Sequence, residues 1–183
     1  MCSFADLQAA IVTLACSAAI GADGDALVLS AASLAASGAG RVQIDTQGAV
    51  SVSSLPCGFD RLHMAMPLAD GYLLVADTWN NRLQRVSPKG EAMVWPVSGT
   101  EIPCPVAVDE DGNGRILVTA WGSSRLLLFG KDGRRLELGE IPDLNKPYDA
   151  RFYRDGFVVA DSHNGRVLVF DKLIVDDPAS TMS

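Results

Sequence analysis

The chain has 183 residues, enough for about one domain with a core of its own. With 48% hydrophobic residues it is not a disordered segment, and it holds no uninterrupted apolar run long enough for a membrane-spanning helix. The 15 Lys and Arg against 22 Asp and Glu leave a net charge of −7, a poor composition for gripping a phosphate backbone.

The N-terminal run Ala9 to Ile20 is apolar enough for the core of a secretory leader. No Lys or Arg precedes Arg41, however, and Asp6 lies ahead of the run, so a leader is not expected and the chain reads as cytoplasmic. The run is better used as an inner strand of the first repeat unit. Four cysteines, Cys2, Cys16, Cys57 and Cys104, form no CxxC pair and read as reduced thiols.

A repeat organises the rest of the chain. Arg41, Arg82, Arg125 and Arg166 stand 41, 43 and 41 residues apart. An Asp-Gly pair precedes each of them, at Asp23-Gly24, Asp70-Gly71, Asp111-Gly112 and Asp155-Gly156. A glycine follows three of them, at Gly48, Gly90 and Gly133. Three markers in step predict units at about 9–55, 56–100, 101–143 and 144–175, with 176–183 a polar tail.

Within a unit the pattern is strand, turn, strand. Leu73 to Ala76 is a short apolar run, the polar cluster Asp77–Asn81 a turn, and Leu83 to Val86 the next strand. Pro88-Lys89-Gly90 turns the chain again, and Glu91 to Val97 extends it. Ile116–Thr119, Leu126–Phe129 and Arg135–Leu138 repeat this, as do Phe157–Ala160 and Val167–Phe170. Inner runs precede them at Leu62–Leu68, Pro105–Val108 and Tyr148–Tyr153. Four short antiparallel strands in a unit of this length make the blade of a β-propeller. Asn80-Asn81, Gly165 and Gly40 precede their arginines where a tight turn needs left-handed backbone, and Asp77 and Asp161 are placed to accept hydrogen bonds in that turn and to pair with the arginine.

Residues Val75-Ala76-Asp77-Thr78-Trp79-Asn80-Asn81-Arg82-Leu83-Gln84 closely resemble the NHL repeat, and Val159 to Asp171 is a second match. Val106 to Asp109, followed by Asp111-Gly112-Asn113, resembles the innermost strand of that family and its exit turn. The third unit departs from the pattern with Ala120 in place of the turn aspartate, and the first is degenerate, with Ala36 and a Gly/Ala/Ser-rich stretch. The resemblance implies an all-β fold, a propeller of four-stranded antiparallel blades. Members of the family usually have six blades and this chain carries four units, so the expectation is a partial, open propeller whose blade edges invite self-association.

The resemblance also places ligand sites on the loops of one face. Trp79, Trp121 and His163 fall in the turns before the arginines, and Arg82 and Arg125 follow them. Rings on adjacent blades suit a protein partner, and the scaffold or binding module is the expected function. The same rings suit single-stranded RNA, against which the net acidity argues. The alternative is a truncated propeller enzyme of lyase or lactonase type with a metal in the central channel. Asp60, Asp109 and Asp149 lie near inner strands, but with His63 and His163 in different contexts no catalytic or metal-ligating set is expected, and no cofactor. A disulfide between Cys57 and Cys104, at similar places on adjacent blades, would exceed the reach of the bond and is not expected.

Overall fold

In the computed structural model, residues 58–96, 101–139 and 141–173 are described in full, and five further strands by their backbone. The first antiparallel sheet consists of four of those five, β1 (Ser17–Ile20), β2 (Ala26–Ser33), β3 (Ala36–Ile44) and β4 (Val50–Leu55). The second contains β5 (Met64–Pro67), β6 (Leu73–Asp77), β7 (Arg82–Val86) and β8 (Ala92–Trp95). The third contains β9 (Pro105–Glu110), β10 (Ile116–Ala120), β11 (Arg125–Phe129) and β12 (Arg135–Leu138). The fourth has three strands, β13 (Asp149–Tyr153), β14 (Gly156–Asp161) and β15 (Arg166–Phe170). The last strand, β16 (Val175–Asp176), pairs with β12 of the third sheet. Each sheet is a blade whose strands follow chain order, and the first strand of each lies beside the first strand of the next, β1 by β5, β5 by β9 and β9 by β13.

Side-chain alternation explains why the blades stack. Along β10, Val118 faces the second blade and Leu117 the fourth. Leu74, Leu83, Val118, Leu127 and Phe129 fill the space between the second and third blades, where Trp95 meets Phe129 edge-on at 5.4 Å. Leu117, Leu126, Leu128, Phe157 and Val159 fill the next space, closed by Phe157 stacked on Phe170 at 4.4 Å. β6 and β10 are buried along their whole length, which is why they read as continuous apolar runs. Burial of each such leucine or phenylalanine is worth about 1.5–3 kcal/mol.

One detail differs from expectation. Gly40 and Arg41 do not flank a tight turn. β3 runs straight through them, with Arg41 opposite Val28 and Gly40 opposite Leu29, and the ladder continues to Ser33 opposite Ala36. In the other blades the arginine closes the ladder, at Asp77–Arg82, Ala120–Arg125 and Asp161–Arg166. The stretch Ser37-Gly38-Ala39-Gly40 has no Asp or Asn to build the turn, so the small residues stay extended.

The fourth unit runs out in sequence near Val175 before a convincing outer strand, and the fourth blade accordingly has none of its own among the described residues. Gly90 and Gly133 take the turn to the outer strand at φ of 89° and 79°, each donating its N–H to a carbonyl three residues back. The residue in step with them is Ile174, a β-branched residue that left-handed backbone disfavours. Leu173 N–H donates instead to Asp155 O, and the chain goes on to pair with the third blade. Among the described residues no blade packs on the face of the fourth blade that points away from the third, and that face is bare. Leu83, Leu126 and Val167 occupy one repeat position and are 0%, 7% and 67% exposed.

Candidate functional site: the face formed by the turns before the arginines

Each complete turn is a 3-10 turn ending in a left-handed residue: Thr78–Asn80 with Asn81 at φ 52°, Trp121–Ser123 with Ser124 at 54°, and Ser162–Asn164 with Gly165 at 61°. In the second blade the turn is built around buried Asp77. Its Oδ1 accepts the Asp60 N–H at 2.8 Å, and its carboxylate also takes the Asn80 and Gln84 amides and Arg82 Nε at 2.7 Å. Asp161 repeats this with the Asn145 N–H, Asn164 and Arg166. Burial of Asp161 opposes its ionisation, but the Asn145 N–H, Asn164 and Arg166 together outweigh it and hold the carboxyl below the usual range.

The third blade has none of this. Ala120 offers no acceptor and Ser123 no amide, and the residue in step with Asp60 and Asn145 is Pro103, which has no N–H to satisfy. The loss is therefore matched on both sides, and only Arg125 remains of the network.

The loops that lead into the inner strands complete the face. Arg61, Cys104 and Lys146 hold equivalent places in them, and all three are left-handed, at φ 44°, 43° and 47°. Non-glycine residues adopt this backbone only when their surroundings fix it. Asn81 Oδ1 accepts the Cys104 N–H at 2.8 Å, and Ser124 Oγ accepts the Lys146 N–H at 3.1 Å, so the end of each turn pins the loop of the next blade. Pinned in this way, Lys146 sets its ammonium 4.0 Å from the centre of the Trp121 ring. In the second blade Arg61 covers Trp79 at 4.5 Å.

Of the expected binding residues, the structure brings Trp121 and His163 together, edge to face at 6.4 Å. Trp79, 57% exposed, has Arg61 as its neighbour rather than a second ring. Arg82 is held by Asp77, whereas Arg125 is exposed. Sequence reasoning missed Arg61 and Lys146. Their signal was the repeat spacing itself, since Arg61, Cys104 and Lys146 are 43 and 42 residues apart.

The inner strands meet around Arg151. Its guanidinium donates to Val108 O at 3.3 Å, lies 3.5 Å from Asp109 Oδ1 and bonds Asp149 at 3.2 Å, and it also approaches Met64 Sδ. Burial pushes the Asp109 carboxyl up, against the pull of the Phe152 N–H and Arg151. Asp60 is elsewhere, in the loop bonded to Asp77. A cation between Asp109 and Asp149 does not fit a dication site, and among the described residues no three His, Cys, Asp or Glu side chains converge as ligands. His63 and His163 are apart, His63 bonded to Tyr148 and His163 against Trp121. Cys104 is a free thiol, and Cys2, Cys16 and Cys57 lie outside the described residues. No helix among the described residues is long and apolar enough to cross a membrane.

The architecture has counterparts among solved structures. A catalytically inactive virginiamycin B lyase from Staphylococcus aureus with quinupristin superposes with a TM-score of 0.66 at 14% identity, covering 87% of this chain and 54% of that one. A nidogen/laminin complex gives 0.64 at 15% identity, covering 86% and 61%. A gluconolactonase from Xanthomonas campestris gives 0.61 at 14%, covering 81% and 56%. The fold is a partial β-propeller. At these identities the likeness is one of fold alone, and the chain spans between half and two thirds of the length of these three neighbours. No protein-family profile and no curated protein matches the sequence.

Proposed function

We propose that this chain is an NHL-type propeller segment that acts as a binding module for a protein partner, through the face carrying Trp79, Trp121 and His163. The observation that carries this reading is the pair of exposed or half-buried indoles, each held under a cation by a loop residue in left-handed backbone. Rigid aromatic rings with a cation beside them are what protein interfaces use as anchors. The inner strands of the second, third and fourth blades, by contrast, are bridged by Arg151, and among the described residues they present no nucleophile paired with a base.

The test is capture of partners by the immobilised chain, compared with Trp79→Ala and Trp121→Ala in combination. Both rings are at the surface, so the double variant should fold and lose the partners that the wild-type chain retains. Retention of every partner by a folded double variant would remove this face from consideration.

A further inference from the structure

We propose that the turn of the third blade is a docking point for the carboxylate of an acidic peptide segment, with Arg125 as its anchor. This rests on the binding-face reading and names the chemistry of the partner. In the second and fourth blades the turn arginine is neutralised by a buried aspartate at 2.7 Å. In the third the aspartate is Ala120, and Arg125 is exposed with no carboxylate partner among the described residues. Because Pro103 removes the N–H that an aspartate would have served, the change to Ala120 leaves no backbone donor of that loop unsatisfied, and of the groups that the turn aspartate serves in the other blades Arg125 is the one left without its carboxylate.

The surroundings suit an anion. Lys146 is bonded through its backbone to Ser124, next to Arg125, and places its ammonium over Trp121. His163 sits against the same ring. In a chain of net charge −7 this is a local concentration of positive charge and donors. A guanidinium offers paired N–H groups that match a carboxylate. A cleft of about 400 Å³ runs from Ser123 and Arg125 along β11 to Arg135 and the segment Ile141 to Leu144; Glu137 and Asp143 also line it, so the cleft gives room for the residues flanking the acid while the pull on the acid itself comes from the Arg125 end. A nucleic acid would bring a row of phosphates to a chain that repels them, whereas one acidic side chain asks for one such patch.

Random peptides displayed on phage, selected on the whole chain and then measured as free peptides, test this. The expected result is sequences with Asp or Glu, whose affinity falls about tenfold or more when Arg125→Glu reverses the charge or when the acid becomes its amide. Arg125 is exposed, and an unchanged thermal melt of Arg125→Glu would show that the fold is intact. Peptides that need Trp79 or Trp121 but ignore Arg125→Glu would overturn this inference and leave the binding face standing. Peptides indifferent to all three changes would overturn both. Failure to select any peptide, or Arg125-dependent binding of a mixed-sequence RNA oligonucleotide without binding of acidic peptides, would overturn the peptide assignment.

Discussion

Tyr148 and His63 are 85 residues apart in sequence, yet the tyrosine hydroxyl and imidazole Nδ1 are hydrogen-bonded at 3.2 Å, with the rings edge to face at 5.9 Å. The contact joins the residues just ahead of the inner strands of the second and fourth blades, past the third. Burial holds the His63 pKa below its ordinary 6.5. On acidification the unfolded chain therefore takes up this proton first, and stability is lost as the pH falls through the ordinary value towards the folded one. Thermal melts from about pH 8 to about pH 5 should show this loss, and His63→Gln should flatten it in that window. An equally steep profile in the variant would assign the pH dependence to other groups.

Asp161 behaves in the opposite sense to Asp109 because its carboxylate is surrounded by donors. Its folded pKa is depressed, so it contributes stability above the unfolded carboxyl pKa that disappears as the pH falls through the folded one. Asp161→Asn should cost about 1–2 kcal/mol at neutral pH by denaturant unfolding and less in acid. A cost that does not change with pH would contradict the depressed ionisation.

Thr119 occupies the repeat position held by Ala76 and Ala160. Its hydroxyl is fully buried and has no hydrogen-bond partner. Thr119→Val replaces the hydroxyl by a methyl of similar shape and should stabilise the chain by about 1 kcal/mol. Destabilisation on urea unfolding would mean that the hydroxyl is satisfied in solution.

Leu83 and Val167 share a repeat position, and the first is covered by a neighbouring blade whereas the second is exposed. Leu83→Ala should cost about 2–5 kcal/mol, because it opens a cavity between two blades. Val167→Ala, on the bare face of the fourth blade, should stay within about 0.5 kcal/mol. A large cost at Val167 would show that its face is covered in solution, for example by self-association through that blade.

Much of the fold is legible in the residues themselves. The arginine spacing, the Asp-Gly pairs and the Asp/Asn turns located the strands of the second, third and fourth units to within a few residues, because strand alternation and left-handed turn backbone are enforced by residues close in the chain. Ala120 was visible as a missing carboxylate for the same reason. The straight hairpin through Gly40, by contrast, required knowing that nothing in Ser37–Arg41 holds a turn together.

What the sequence alone determined, then, is the repeat and the local conformation inside the second, third and fourth units. Tertiary structure decided everything that depends on which surfaces meet. It set Lys146 over Trp121 and Arg61 over Trp79, matched Pro103 to Ala120, bridged the inner strands with Arg151, gave β16 to the third blade, and left Val167 bare while its counterparts Leu83 and Leu126 are buried. The repeat makes these positions equivalent in sequence. Only the presence or absence of a neighbouring surface, contributed by residues tens of positions away, makes them different in energy.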